Sequence, residues 1–413
     1  MTETIREMRD IDAANFDRET VGLPRLARNG LRAALHIEFG CLSVLTPEGL
    51  ALRFRGRQPG PDATVAFNNW NVIARALRSG DLGIHESYVL GDWSSPDVTA
   101  FLELFCVNHQ ILDEKLTASP LVRLYLKFQH WLNNNTRAGS RRNIAAHYDL
   151  GNRFYELWLD PSMTYSSAVF DEHTTDLTAA QTEKYRSLAR LARIEPGQSV
   201  LEIGCGWGGF AEFAAREIGC KVTGLTISRE QFDFASQRIQ QAGLGDKVEI
   251  RLQDYRDVDG RFDRIASIEM FEAVGERFWP TYFDRLRQTL KPGGVAGLQV
   301  ITIQDRFFES YRRNPDFIQK YIFPGGMLPT PEIMTELGRK VGLVLTSEKA
   351  FGQDYARTLA EWRRRFWDAW PRIVPLGFDE RFKRLWEYYF HYCEAGFRSG
   401  NIDVRQLVYT RSA

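Results

Sequence analysis

The chain has 413 residues, a formal net charge of +0, and 44% hydrophobic, 26% charged and 13% aromatic residues. That length favours two domains over one and supplies ample apolar material for their cores. Zero net charge excludes a polyanion binder acting through its overall field, so no nucleic-acid partner is expected and any membrane contact must rest on a local patch. The stretch "MTETIREMRD" lacks the apolar core of a signal peptide, and no apolar run has the length of a membrane span. Five scattered cysteines show no metal-ligand spacing, so no metal is expected and a cytoplasmic protein is. In chain order, residues 1–20 carry few apolar anchors and are expected to be flexible. Residues 21–115 read as an N-terminal α+β domain. In it "HIEFGCLSVLTPEGLALRFRG" alternates like two paired strands around a Pro-Glu-Gly turn. "FNNWNVIARALRSGDLGIHESYVLGDW" follows with a helical period and a glycine stop after Ser79. Residues 116–145 read as a helical linker containing the polar, basic "NNNTRAGSRRN", and residues 146–413 as the second domain.

The rhythm changes at Val200. "SVLEIG", "KVTGLTIS", "KVEIRLQD", "FDRIASIEM" and "VAGLQVITI" read as strands separated by helical stretches, and "LVLTSEKAF" and "VRQLVYTR" add two more. Strands alternating with helices predict an α/β fold with a largely parallel sheet covered on both faces. Gln304 to Thr330 is too aromatic for a solvent loop and is expected to be an inserted lid over the site.

The first of these strands runs into "VLEIGCGWGGF". Gly204, Gly206 and Gly209 satisfy G-x-G-x-x-G, which alone is a weak signal. A dinucleotide site also wants an acid at the end of the second strand, and "GLTIS" has none. Instead Glu202 ends the first strand, Asp254 follows the third, and "LKPGG" precedes the fifth. Together these resemble the class I S-adenosylmethionine methyltransferases. The resemblance implies a seven-stranded sheet and a cofactor seat at Glu202, Gly204, Gly206 and Gly208. There backbone N–H groups and a helix N-terminus would meet the methionine portion. Gln253, Asp254 and Tyr255 would meet the adenosine.

Longer motifs narrow the family. "AHYDLGNRFYELWLDPSMTYSSAVF", "LEIGCGWGGF", "GLTISREQ", "QDYRD", "MFEAVGE", "YIFPGGMLPT", "GFRSGNIDVRQLVYTR" and, in the N-terminal part, "DLGIHESYVLGDW" resemble the cyclopropane-fatty-acid synthase family. The resemblance runs from about Gly80 onward. It implies methylation, from S-adenosylmethionine, of a double-bond carbon in a phospholipid acyl chain, by a protein resting on the cytoplasmic face of a membrane. A homodimer is compatible with it. Residue by residue, Tyr165 and Ser166 match the pair touching the methionine portion, and Thr226 and Gln231 match polar residues after the second strand. Glu272 matches the glutamate of the catalytic pocket. Ile301 and Tyr355 match further members of a pocket that holds bicarbonate in typical members. Ser167 stands where the typical cysteine is, Gln299 where the typical histidine is, and Ala273 replaces another histidine. Ser167 and Gln299 still donate hydrogen bonds. The substitutions leave methyl transfer intact as an expectation and put bicarbonate binding and ring closure in question.

The chemistry sets further requirements. An alkene is a weak nucleophile, so alignment must supply much of the rate. Transfer leaves a carbocation, which calls for a dry pocket with aromatic faces. Tyr165, Phe271, Trp279, Tyr321, Phe323 and Tyr355 are the candidates. A base, Glu272 or bicarbonate, must then take a proton. Removal from the new methyl group closes a cyclopropane, and the alternative is methylation without ring closure, giving a methylene- or methyl-branched chain. Plainer roles compete. Glu272 could cap a helix or pair with Arg277, the aromatics could be core, and His147 could be structural. "WRRRFWDAWPR" reads equally as a membrane-facing patch or as a helix whose arginines lie over apolar neighbours. A non-catalytic lipid-binding protein is the alternative outside the enzymes.

Overall fold

In the computed structural model the described residues are 8–117, 150–172, 174 and 176–413. The expected linker falls outside them apart from its first two residues, as does His147. The chain divides into two units, residues 1–141 with 378–399, and residues 142–377 with 400–413. The expected continuous domain over 146–413 is therefore interrupted. The helix Glu380–Arg398, which Asp379 caps by accepting from the Phe382 N–H, belongs with the N-terminal unit.

In that unit the alternating apolar residues pair as expected. Strand β2 (Phe39–Leu45) runs antiparallel to β3 (Ala51–Arg55), with Leu42 opposite Phe54 and Val44 opposite Leu52. All four side chains are buried, because period-2 alternation puts them on one face. With β1 (Arg9–Ile11), β4 (Gln58–Phe67) and β5 (Trp93–Ser94) they form a five-stranded sheet, ordered β1-β3-β2-β4-β5. The expectation of a flexible stretch over residues 1–20 is corrected here for residues 8–20. Arg9–Ile11 pairs with β3, and Ile11 and Phe16 are buried. Two well-placed apolar side chains anchor a segment whose composition is otherwise polar.

The second unit is built on seven strands. They are β6 (Ser199–Ile203), β7 (Lys221–Thr226), β8 (Val248–Leu252), β9 (Phe262–Ile268), β10 (Leu290–Ile303), β11 (Leu343–Ala350) and β12 (Ile402–Arg411). Their order is β11-β12-β10-β9-β6-β7-β8, with β12 antiparallel to both neighbours and β6 to β10 mutually parallel. Apolar runs such as Val200–Leu201 serve both faces of a covered sheet. Leu201, Ile203, Ile265 and Leu298 enter one core with Phe271 and Phe283. Val200, Val222 and Ala266 enter the other with Leu188 and Phe210. Strand β6 lies between β9 and β7, so the chain leaves it toward one side and returns on the other. That switch point lies at the carboxyl end of β6, the place where open α/β sheets bind ligands. The stretch after β10 forms a helix over Asp305–Arg313 and a π-turn over Ile318–Ile322. No helix among the described residues is long and apolar enough to cross a membrane.

Candidate active site

The turn after β6 is built of glycines that leave its backbone uncovered. Gly204, Gly206 and Gly208 all have positive φ, at 81°, 51° and 81°. L side chains avoid that region at a cost of about 1–2 kcal/mol. A Cβ at Gly206 would meet nothing within 4 Å, so the turn faces open space there. Cys205 N–H donates to the Leu225 carbonyl at 2.7 Å, tying the turn to β7, and the helix Gly209–Phe213 starts immediately after it. Glu202 beside it is buried, and burial pushes its carboxyl well up, against the pull of Lys184. Glu202 Oε2 has no hydrogen-bond partner among the described residues. An unpartnered acceptor beside an open glycine turn fits a ligand bearing an ammonium group and needing close backbone approach, as the methionine end of S-adenosylmethionine does.

The neighbouring expectations are placed as follows. Thr226 ends β7, and its Oγ1 lies 2.9 Å from Gln231 Oε1, so those two residues meet. Ser228 caps the helix carrying Gln231. Gln253 N–H donates to the Thr226 carbonyl at 3.0 Å, while its side chain turns to the Asp257 carbonyl. Asp254 receives both Arg256 Nε at 2.9 Å and Arg256 Nη2 at 2.7 Å, and this pairing holds its carboxyl below the usual range. Tyr255 packs edge-on to Tyr282 at 5.3 Å. Ser166 is buried and accepts from Lys184 Nζ at 2.6 Å. Lys184 is a residue that sequence reasoning missed. It is wholly buried, and burial lowers its ammonium to about 7, although Glu269, Asp160 and Glu202 pull the other way. Its signal in the sequence is only a lysine on the covered face of a helix.

The catalytic-pocket candidates gather at the ends of β9 and β10, around a residue not singled out from the sequence. Glu269 directly follows β9. Its Oε1 accepts from the Ser167 N–H at 2.8 Å and from Gln299 Nε2 at 2.8 Å, and its Oε2 accepts from the Tyr355 hydroxyl at 2.6 Å. Its own N–H donates to the Gln299 carbonyl at 2.8 Å, and its φ is 49°, unusual for a residue with a side chain. Glu272 sits one short turn later, in the 3-10 segment Phe271–Ala273. Its Oε1 accepts from the Ile301 N–H at 2.5 Å, and its Oε2 has no partner among the described residues. Burial, and next the charge of Glu269, push the Glu272 carboxyl up to about 8. Burial also raises Glu269, opposed by Tyr355, Lys184, Gln299 and Ser167 in that order. Gln299 and Ile301 are two apart on β10, Gln299 contributing its side-chain amide and Ile301 its backbone N–H.

Gln299 is fixed in turn, its Oε1 accepting from Gln406 Nε2 at 3.1 Å, with Gln406 wholly buried on β12. An amide held this way keeps its Nε2 aimed at Glu269. The bicarbonate expectation fares differently from the cofactor one. Ser167, Gln299 and Tyr355 already donate to Glu269, and Ile301 to Glu272, so the residues expected to hold a free anion do not fit one here.

An aromatic cluster adjoins the carboxylates. The Tyr355 ring lies 6.1 Å from Trp362, which is 5.2 Å from Tyr165, and Tyr165 is 6.4 Å from Phe323. Phe271 and Trp279, by contrast, stack together in the core at 5.5 Å, as the plainer reading had it. Tyr321 lies in the π-turn, 5.8 Å from Phe317, with Lys320 Nζ 5.0 Å above its ring. In "WRRRFWDAWPR", Trp362, Phe366 and Trp370 are buried, and Trp367 is the exposed ring, under Arg363 at 5.2 Å. Three of the four large rings in that stretch are therefore packing.

Comparison with known proteins agrees with this geometry. A family model described as mycolic acid cyclopropane synthetase matches residues 135–407. The tuberculostearic acid methyltransferase UfaA1 of Mycobacterium tuberculosis is 40% identical over 83% of this chain and 82% of its own length. The cyclopropane-fatty-acyl-phospholipid synthase of Escherichia coli is 35% identical over 89% of this chain and 92% of its own. Among solved structures, the mycolic acid cyclopropane synthase CmaA1 complexed with SAH and CTAB superposes with a TM-score of 0.61 at 29% identity. The match covers 65% of this chain and 98% of that one. The cyclopropane synthase MmaA2 of Mycobacterium tuberculosis gives 0.61 at 31% identity, over 68% and 100%. The open glycine turn, the strand order and these matches converge: the chain belongs to the mycolic acid cyclopropane synthetase family and is an S-adenosylmethionine-dependent methyltransferase.

Proposed function

We propose that this enzyme methylates a double-bond carbon of an unsaturated acyl chain carried by a phospholipid, working from the membrane surface. The observation that carries the reading is the pairing of two carboxylates, Glu269 and Glu272, with the aromatic cluster of Tyr355, Trp362, Tyr165 and Phe323. S-adenosylmethionine, when bound at the glycine turn, supplies the methyl group. Addition to one alkene carbon leaves positive charge on the other. Aromatic faces stabilise that charge, and a carboxylate then receives a proton. Relatives named for a fatty-acid methyltransferase and for a phospholipid synthase support an acyl substrate. The test is mass spectrometry of lipids from cells expressing the chain, with purified enzyme and vesicles of mono-unsaturated phospholipid as the second arm. The reading predicts a gain of one CH2 unit in unsaturated chains and reversible sedimentation with the vesicles. Unaltered lipids in both arms would refute it.

Ser167, Gln299 and Ala273 favour a second reading of the product. They depart from the residues that typical ring-closing members carry. Loss of a proton from the new methyl group, with closure of a C–C bond, gives a cyclopropane. A hydride shift before that loss gives a methylene branch on the open chain instead. Both products add one CH2 unit, and proton NMR of the isolated lipid separates ring protons from vinyl protons.

A further inference from the structure

We propose that Glu269 is a catalytic carboxylate that stands in place of an exchangeable anion, so that this enzyme methylates without bicarbonate. The resemblance assigns Ser167, Gln299, Ile301 and Tyr355 to the pocket that holds bicarbonate in typical members. In this chain three of those four converge on a carboxylate that the protein itself supplies. Ser167 N–H and Gln299 Nε2 reach Oε1, both at 2.8 Å, and the Tyr355 hydroxyl reaches Oε2 at 2.6 Å. The fourth, the Ile301 N–H, is taken by Glu272 at 2.5 Å. A carboxylate and a bicarbonate each present two oxygens on one planar carbon, so the same donors suit either. With Glu269 in place, a free anion would find those donors engaged and two acidic side chains beside it. The tethered group also avoids the entropic cost of capturing an ion from solution.

The backbone supports a functional role. Glu269 is one of three non-glycine residues with positive φ among those described, and its N–H is held by the Gln299 carbonyl. Strain of this kind persists where the surroundings over-determine a side chain's direction, and it clusters at active sites. Tyr355, Gln299 and Ser167 stabilise the ionised form of Glu269, while Glu272 lies in the same buried site. Close carboxylates do not both ionise readily, so one carries the charge and the other the proton. Glu269, with three donors, is the charged partner. In the reaction a C–H bond of the new methyl group, or of a carbon adjacent to the substrate cation, breaks, its electron pair forms the new C–C or C=C bond, and the proton goes to the Glu269 carboxylate. Solvent later takes that proton, and no oxidant or reductant is needed.

The inference rests on the methyltransferase reading but not on the identity of the lipid. Its test uses wild type, Glu269→Gln and Glu269→Gly, because glycine adopts the positive φ without strain and the fold should be retained. Melting temperature and S-adenosylmethionine affinity verify that the variants are folded. Titration with 13C-labelled bicarbonate, followed by NMR, should show no binding to wild type and binding to Glu269→Gly. Turnover on unsaturated phospholipid vesicles should be unchanged for wild type when bicarbonate is stripped from the buffer. It should fall on the order of 10²-fold or more in both variants, and added bicarbonate should restore it in Glu269→Gly only. Bicarbonate binding to wild type, loss of wild-type turnover in stripped buffer, a glycine variant that binds no bicarbonate, or a glutamine variant as active as wild type would each overturn the proposal. The NMR arm needs no lipid, so a failure of the substrate reading alone would show as absent turnover with the predicted bicarbonate binding intact.

Discussion

The two halves of the site are built in different ways. The glycine turn offers backbone, with three positive-φ glycines at alternate positions and one buried acid, Glu202. The proposed carboxylate centre gathers groups from distant segments: Ser167, Glu269 with Glu272, Gln299, and Tyr355. The first arrangement is local and tolerates little change in any one residue's backbone. The second is assembled by the fold, and its members can be exchanged if the charge balance is kept. Binding of the cofactor and chemistry on the substrate should therefore respond to different substitutions.

The largest expected separation comes from Glu272→Gln. It keeps the shape and removes the titratable carboxyl from a site where Oε2 has no partner among the described residues. Turnover should fall on the order of 10²-fold or more, as loss of an acid–base group does, while calorimetry finds S-adenosylmethionine affinity unchanged. Near-normal activity, with bicarbonate present or depleted, would make Glu272 structural.

Gly206→Val is the converse experiment. The residue has φ 51° and faces open space, so valine would both strain the turn and project into the ligand's volume. Strain alone, at about 1–2 kcal/mol, corresponds to roughly 10-fold in affinity. Calorimetry should show at least that loss. Unchanged affinity would remove the cofactor from this turn.

A third effect is on stability. In the folded chain burial raises Glu272 to about 8, from an ordinary 4.5. Between those values the folded state keeps a proton that the unfolded state has released. Stability should therefore fall as pH rises from 4.5 toward about 8 and level off above it. The total is on the order of a few kcal/mol. Melting curves across that window should be flatter for Glu272→Gln, with the variant the more stable protein at the alkaline end. A wild-type slope of the opposite sign would contradict the buried neutral carboxyl.

The same contrast decides how much could be read in advance. The seven strands and the glycine turn follow from apolar runs and from residue types that force a backbone conformation, and both are local. Glu269 was hidden because "SIEM" reads as the polar end of one more strand, and nothing in its spacing points to Ser167 or Tyr355. A signal did exist. With Ser167 and Gln299 in place of a cysteine and a histidine, an additional acid at the carboxyl end of the fourth strand was worth asking about. The helix Glu380–Arg398 and the segment Arg9–Ile11 were misplaced for a related reason. An amphipathic helix shows which face it buries, not which unit it buries it against. Residues 8–20 look frayed by composition, but Ile11 and Phe16 alone suffice to anchor them.

The central claim is that a carboxylate belonging to the chain performs the chemistry at a site separate from the cofactor seat. The most direct measurement is S-adenosylmethionine affinity and lipid turnover on one preparation of Glu269→Gln. Affinity should equal that of wild type, with turnover lower on the order of 10²-fold or more. Wild-type turnover in that variant, or affinity falling in step with turnover, would contradict it.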